Sequence, residues 1–245
     1  MSQLIRKLSN TSKTSFEPLG FRTTGQRQSA KILVVAEVTE ELINAVKVSA
    51  DAILFNSIPN NLQEKPSLPW GVRLSGEETD IDAVTTNGWD FTVFLAKTPV
   101  GLFHEPELGK ILTLDVASET AYLRAADESP ADAFLLNLGE PQISRLTWHQ
   151  IILLKRAAGL INKPLLVHID LEITMEDILA LWTANISGVV ISIRDKEDVR
   201  MARGLSTLLQ ETRLPSRRRE FPSLITVPEI SPLSSEEEEP GEEPQ

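Results

Sequence analysis

Eight short apolar runs, rich in Val, Ile, Leu and Phe, recur along the chain and are separated by polar segments. Each run is apolar without interruption, which is the pattern of a strand covered on both faces, as in parallel sheets. The predicted strands are Ile32–Ala36, Ala52–Phe55, Gly71–Leu74, Phe91–Ala96, Ile111–Leu114, Ala133–Leu136, Leu165–Ile169 and Gly188–Ile193. Their regular recurrence leaves room for one crossover between successive strands.

Several of these crossovers have helical periodicity. The predicted helices are Glu40–Ser49, Thr147–Ile161, Met175–Ala184 and Asp195–Thr212. The crossovers after the second and fourth strands are rich in Pro and Gly, so their helices should be short or absent. Eight strands with mostly helical, right-handed crossovers predict a closed (β/α)8 TIM-type barrel with some trimmed crossover helices. An open doubly wound α/β sheet is the alternative.

The barrel is predicted to occupy residues 31–213 and to follow an N-terminal arm, residues 1–30. A short helix in this arm, with Leu4, Ile5 and Leu8 on one face, is placed to cover the N-terminal face of the barrel.

The remaining residues, 214–245, form a tail that contains six of the 15 prolines and ends with six glutamates after residue 235. Such a composition predicts disorder, at least from residue 232. The apolar segment Phe221–Ile230 within this tail is predicted to dock on the body, on a protein partner or on a second copy, unless it is simply a tethered loop.

Composition and charge narrow the function classes. The chain has no cysteine and three histidines, which excludes a disulfide scaffold, a thiolate nucleophile and an iron–sulfur cluster. Its net charge of −11 disfavours nucleic-acid binding, because an acidic surface repels phosphate backbones. No apolar run is long enough for a membrane span. The sequence therefore predicts a soluble, cytoplasmic protein that binds neither nucleic acid nor a membrane.

Candidate chemistry lies where the strands of such a barrel end, because their C-terminal ends form the active-site face. Every predicted strand ends in a polar residue, and the charges of this ring nearly cancel. Predicted catalytic residues are Lys97, His168 and Asp170, as stabiliser or amine nucleophile, general acid or base, and its carboxylate neighbour. The predicted substrate-binding residues are Arg73, Arg194, Asn56, Asn137 and Ser192, with Glu37 and Asp115 as further carboxylates at the mouth.

Two interpretations of this ring stay open. It is either a site for a small anionic metabolite or a paired ion network without activity, since buried charges persist when they are paired. His168 with the three carboxylates Glu37, Asp115 and Asp170 is a weaker candidate for a divalent-metal site.

The stretch Lys163–Ile193, KPLLVHIDLEITMEDILALWTANISGVVISI, resembles the last two strands and intervening helix of phosphate-binding (β/α)8 barrels, including the FMN-dependent oxidoreductases. The resemblance implies a phosphate or FMN phosphate bound by backbone N–H groups beyond these strands. Backbone cradles generally use glycine, yet 170–173 and 194–197 contain none. We therefore expect the phosphate-binding site to be altered or lost, and FMN to be disfavoured as a cofactor. Arg194 is the one side chain that could replace the lost backbone contacts.

Three functions fit these observations. The first is an enzyme, a lyase or flavin-type oxidoreductase by analogy, acting on a small anionic metabolite. The second is a non-catalytic barrel that binds a metabolite or a protein. The third is a structural subunit that docks through Phe221–Ile230. Because one fold hosts many chemistries, the sequence leaves open whether the chain is an enzyme.

Overall fold

A computed structural model of the chain describes the backbone over most of residues 2–215. The described residues are 2–12, 31–39, 42–43, 50–59, 66–76, 88–101, 105–139, 145–169, 172–212 and 214–215. Most of the predicted helix Glu40–Ser49, Asp170 and the tail from residue 216 lie outside these ranges, so the predicted division into arm, barrel and tail stays a prediction.

Eight parallel strands form a closed barrel in sequence order, and the last strand pairs with the first. The strands are β1 Leu33–Val38, β2 Ala52–Phe55, β3 Trp70–Arg73, β4 Phe91–Leu95, β5 Gly109–Asp115, β6 Ala133–Asn137, β7 Leu165–Ile169 and β8 Gly188–Ile193. The predicted closed barrel is confirmed, and the open-sheet alternative is wrong because the pairing of β1 with β8 leaves no free sheet edge.

Five helices are described. They are α1 Gln3–Ser12, α2 Thr120–Glu128, α3 Trp148–Leu160, α4 Met175–Thr183 and α5 Lys196–Glu211. Both α3 and α4 begin with a capping box, in which Thr147 pairs with Gln150 and Thr174 with Asp177. None of the helices in the described ranges is both long and apolar enough to cross a membrane.

Strand alternation divides the core into two layers. Residues such as Val34 and Ala36 of β1 point outward and pack under the helices, whereas Leu33 and Val35 point into the barrel. The inward-facing apolar residues are Leu33, Val35, Ala52, Leu54, Phe91, Val93, Ile111, Ala133, Leu135, Leu166 and Val190. Each large side chain of this kind contributes about 1.5–3 kcal/mol when it leaves water.

Helix α1 completes the inner layer from the N-terminal end of the barrel. Its residues Leu4, Ile5 and Leu8 are at most 3% exposed and belong to the inner cluster. The first residues of two strands are glycines because α1 approaches them closely. A methyl group at Gly109 would lie 2.7 Å from Ser2 Cβ, and one at Gly188 would lie 3.1 Å from Leu8 Cδ2.

The carboxylate of Asp90, immediately before β4, holds the start of α1. It accepts hydrogen bonds from Ser2 Oγ at 2.9 Å, Gln3 N at 2.6 Å and Leu4 N at 2.9 Å. The first N–H groups of a helix have no partner within the helix, and a negative charge there is favoured by the helix dipole. Asp90 therefore anchors α1 to the barrel.

We expect Asp90→Ala to lower the free energy of unfolding by about 1–3 kcal/mol, because three donors lose their charged acceptor. Urea unfolding followed by circular dichroism measures the loss. Glu128→Ala, at the exposed end of α2, serves as a control and should change the free energy by no more than about 0.5 kcal/mol. An Asp90→Ala chain as stable as the wild type would contradict the anchoring role.

Candidate functional site

Four polar side chains meet at the C-terminal mouth of the barrel, each from a different strand. They are Glu37 of β1, Arg73 of β3, His168 of β7 and Ser192 of β8. Strand alternation places them here, because Glu37 follows Leu33 and Val35 on the inward side of β1. The structure thus brings together one predicted catalytic residue, two predicted substrate-binding residues and one predicted mouth carboxylate.

Glu37 is the most buried member of this cluster. Its side chain is 7% exposed, and its Oε1 accepts a hydrogen bond from Arg73 Nε at 2.5 Å. Its Oε2 accepts a second bond from Ser192 Oγ at 2.9 Å. A carboxylate at such a depth is tolerated only when it is paired and hydrogen-bonded, and both oxygens of Glu37 meet this condition.

His168 joins the cluster through Ser192. Its Nε2 lies 3.0 Å from Ser192 Oγ and 3.6 Å from Glu37 Oε2. A hydroxyl has one proton, and Ser192 directs it to Glu37, so we assign Nε2 of His168 as the donor to Ser192 Oγ. This order is the reverse of a nucleophilic serine, whose proton must be accepted by the histidine. Ser192 is therefore a link between Glu37 and His168 rather than an activated nucleophile.

Two groups at the mouth have hydrogen-bonding capacity that the described residues leave unused. Arg73 donates through Nε to Glu37, and its two terminal nitrogens have no partner within the described ranges. The Oγ1 of Thr113 is buried and likewise has no partner there. Thr113 faces inward between Ile111 and Asp115 on β5 and pairs with Leu95 and Leu135 in the sheet. Sequence reasoning missed Thr113, although counting back two positions from Asp115 would have found it.

Asp115, Asn137 and Asn56 lie at strand ends with exposed side chains. Asp115 and Asn137 are neighbours in the β5–β6 pairing. Both of these side chains accept a local hydrogen bond from the backbone. Asp115 Oδ1 accepts from Ala117 N at 2.8 Å, and Asn137 Oδ1 accepts from Gly139 N at 3.1 Å. Such side-chain bonds to the backbone two residues on shape the turn after a strand.

Three further predicted site residues, Lys97, Arg194 and Asp170, are not among the four residues of the cluster. Lys97 is exposed in the turn after β4 and passes over Gly76, which adopts a φ of 85°. A methyl group at position 76 would lie 2.7 Å from Lys97 Cε, so glycine suits both the backbone and this close approach. Arg194 is exposed after β8, and Asp170 lies outside the described residues. The functional roles of these three residues stay predictions.

No three His, Asp or Glu side chains within the described ranges come together in a group that could hold a metal ion.

The backbone groups that would bind a phosphate at the start of α5 are already bonded. Asp195 Oδ1 accepts from Glu197 N at 2.7 Å and from Asp198 N at 2.9 Å. Asp198 Oδ2 accepts from Arg194 N at 2.7 Å. These N–H groups are the donors that a helix N-terminus offers to an anion, and the chain satisfies them with its own carboxylates. The residues at this position therefore do not fit the phosphate of FMN.

Comparisons with known proteins define the class of fold. No family model matches the chain, and no curated protein does. Among solved structures, a mutant tryptophan synthase alpha subunit from Pyrococcus furiosus matches with a TM-score of 0.53 and 13% identity, over 74% of this chain and 98% of that one. Tryptophan synthase from M. tuberculosis matches with a TM-score of 0.56 and 11% identity, over 85% of this chain and 98% of that one. At such identities the likeness shows the TIM-barrel fold alone.

The coupling energy between Glu37 and Arg73 can be measured with a double-mutant cycle of Glu37→Gln and Arg73→Met. We expect a coupling energy of about 1–3 kcal/mol, because neither partner is fully solvated. The pair Lys31–Asp51, at 2.6 Å but with side chains 45% and 21% exposed, provides a matched control. Its coupling energy, from Lys31→Met and Asp51→Asn, should stay below about 1 kcal/mol. Equal coupling energies in both cycles would contradict the stronger pairing that we expect for the more buried Glu37–Arg73 pair.

Proposed function

We propose that the mouth of the barrel binds a small metabolite that carries a carboxylate, with Arg73 as its main contact. The observation that carries the proposal is the arrangement of the Arg73 guanidinium. Glu37 holds it through Nε, while its two terminal nitrogens have no partner within the described part of the chain. A guanidinium fixed in this way presents two parallel donors, the geometry that matches a carboxylate in a bidentate pair.

A carboxylate suits this mouth better than a phosphate. The backbone donors at the start of α5 are bonded to Asp195 and Asp198, so they are not free for a phosphate. Glu172, Asp195 and Glu197 are exposed around the ends of β7 and β8 and repel a dianion more than a monoanion. One guanidinium is sufficient to pair with one carboxylate.

The other candidate site residues have separate proposed roles in ligand binding and in proton transfer. His168, with 43% of its side chain exposed, is placed to exchange a proton with the ligand as general acid or base. Ser192 and Glu37 hold its ring in place, as a third group orients the base in other proton-transfer sites. Thr113 Oγ1, Asn56 and Asn137 offer neutral hydrogen bonds, and Lys97 and Arg194, exposed after β4 and β8, offer further positive charge. The role of Asp170 as a carboxylate neighbour of His168 stays a prediction.

A non-catalytic binding barrel is the second candidate. It is favoured by the way the chain satisfies its own reactive groups, since both Glu37 oxygens are bonded and the Ser192 proton is directed away from His168. The two candidates share the ligand site and differ in whether the bound molecule changes.

The ligand site is tested by thermal unfolding with a panel of small mono- and dicarboxylates, inorganic phosphate and FMN. We expect a concentration-dependent rise in Tm for at least one carboxylate and none for phosphate or FMN. Arg73→Ala should abolish the rise, because the bidentate contact is lost, and Arg73→Lys should weaken it while still neutralising Glu37. Arg200→Ala, an exposed residue of α5, should leave the rise unchanged.

Two results would contradict this proposal. One is a wild-type chain that no carboxylate of the panel stabilises. The other is an Arg73→Lys chain, folded by circular dichroism, that gains the same Tm increase as the wild type.

Catalysis is tested separately with the stabilising carboxylate in D2O, followed by NMR. If His168 acts as a base, the wild type should exchange a carbon-bound proton of the ligand, and His168→Asn should lose exchange while keeping the Tm increase. Bound ligand that neither exchanges nor changes in the wild type would favour the non-catalytic barrel.

A further inference from the structure

Several large apolar side chains are exposed on neighbouring helices around the barrel. Six large apolar side chains within the described ranges are exposed, and four of them belong to the consecutive helices α2, α3 and α4. They are Tyr122, Trp148, Ile152 and Leu179, which we call the α2–α4 patch. Its centre is on α3, where Trp148 is 85% exposed and Ile152, one turn on, is 62% exposed. An exposed tryptophan beside an isoleucine is typical of a surface that binds another chain.

Helix α3, at the centre of the patch, is basic. The whole chain carries a net charge of −11, yet α3, with the sequence WHQIILLKRAAGL, contains no acidic residue. The basic residues Arg145, just before α3, and Lys155, within it, are exposed beside Trp148 and Ile152. The N-terminus of α3 adds the positive end of the helix dipole. This face therefore fits an apolar segment that leads into acidic residues.

The chain itself carries such a segment. Phe221–Ile230 contains five apolar residues, Phe221, Leu224, Ile225, Val227 and Ile230, and six glutamates follow it between residues 236 and 243. An apolar motif followed by an acidic run complements the part of the patch on α3, which has basic residues and no acidic ones.

The last described residue lies beside α4, the helix that carries Leu179 of the patch. The carbonyl of Pro215 accepts a hydrogen bond from Trp182 Nε1 at 2.7 Å, and α4 is the neighbour of α3. An extended chain spans about 3.3 Å per residue, so five residues cover roughly 16 Å before Phe221. The ten residues of the segment extend to about 33 Å, whereas α3, with 13 residues, is about 20 Å long. The segment is long enough to cross the exposed face of α3.

We propose that Phe221–Ile230 docks in cis on the α2–α4 patch and covers Trp148, with the acidic residues that follow it lying near Arg145 and Lys155. The patch shares no residue with the Glu37 cluster, whose members lie on β1, β3, β7 and β8.

Tryptophan fluorescence of the full chain tests the proposal directly. Of the four tryptophans, Trp70, Trp89 and Trp182 are at most 8% exposed, so acrylamide quenching reports on Trp148. We expect Trp148 to be quenched several-fold less efficiently than free N-acetyltryptophanamide in the wild type, at every protein concentration. The double variant Phe221→Ser/Ile225→Ser should remove this protection. Leu233→Ser, an apolar residue of the tail beyond the segment, is the matched control and should keep it. Adding Trp148→Phe to the double variant assigns the signal, because the quenchable component should disappear.

Three results would overturn the proposal. The first is a wild-type Trp148 as quenchable as the free fluorophore. The second is protection that the double variant retains. The third is protection that falls on dilution together with a dimer seen by light scattering, which would identify a second copy as the occupant. Circular dichroism and Tm confirm that each variant is folded before its quenching is compared.

Discussion

The interior of the closed barrel has to be filled, and the way it is filled controls the rest of the structure. Eight strands enclose a space that side chains can just fill. Toward the N-terminal ends, four inward positions hold only small residues: Ala52, Gly109, Ala133 and Gly188. The space that they leave is occupied by Leu4, Ile5 and Leu8 of α1, which Asp90 anchors. The helix is thus part of the barrel core, although it lies before the barrel in sequence.

With one end closed by apolar packing, the polar residues gather at the other end. Glu37 stands directly above Val35, so its carboxylate lies on an apolar floor and needs the guanidinium of Arg73 and the hydroxyl of Ser192. The same requirement orients Arg73 and, through Ser192, His168. The anion site that we propose for this mouth therefore relies on side chains, because Asp195 and Asp198 accept the hydrogen bonds of backbone donors at the start of α5. A shared fold with the tryptophan synthase structures does not by itself imply a shared chemistry, since function depends on such local groups.

Local sequence was sufficient for several of the regular elements. Three strands, Ala52–Phe55, Leu165–Ile169 and Gly188–Ile193, have the bounds that their apolar runs predict, because each is covered on both faces. The start of α4 follows from Thr174 and Asp177, since a capping box is a local signal. The bounds of α2 were not predicted, because the helix is short and only Leu123 and Ala126 of its nine residues are buried.

The sequence by itself thus determined eight buried strands, the class of fold and a polar residue at the end of each strand. Tertiary structure decided which of those residues meet. Ser192 and Glu37 are 155 positions apart and become partners only when β8 pairs with β1. Lys97, in the turn after β4, and Asp115, the last residue of β5, are exposed. The alternation of side chains along β5 points Thr113 into the barrel, although it lies within an apolar run. Periodicity is set by neighbours along the chain, whereas the members of a site are set by barrel closure, which no local window of sequence contains.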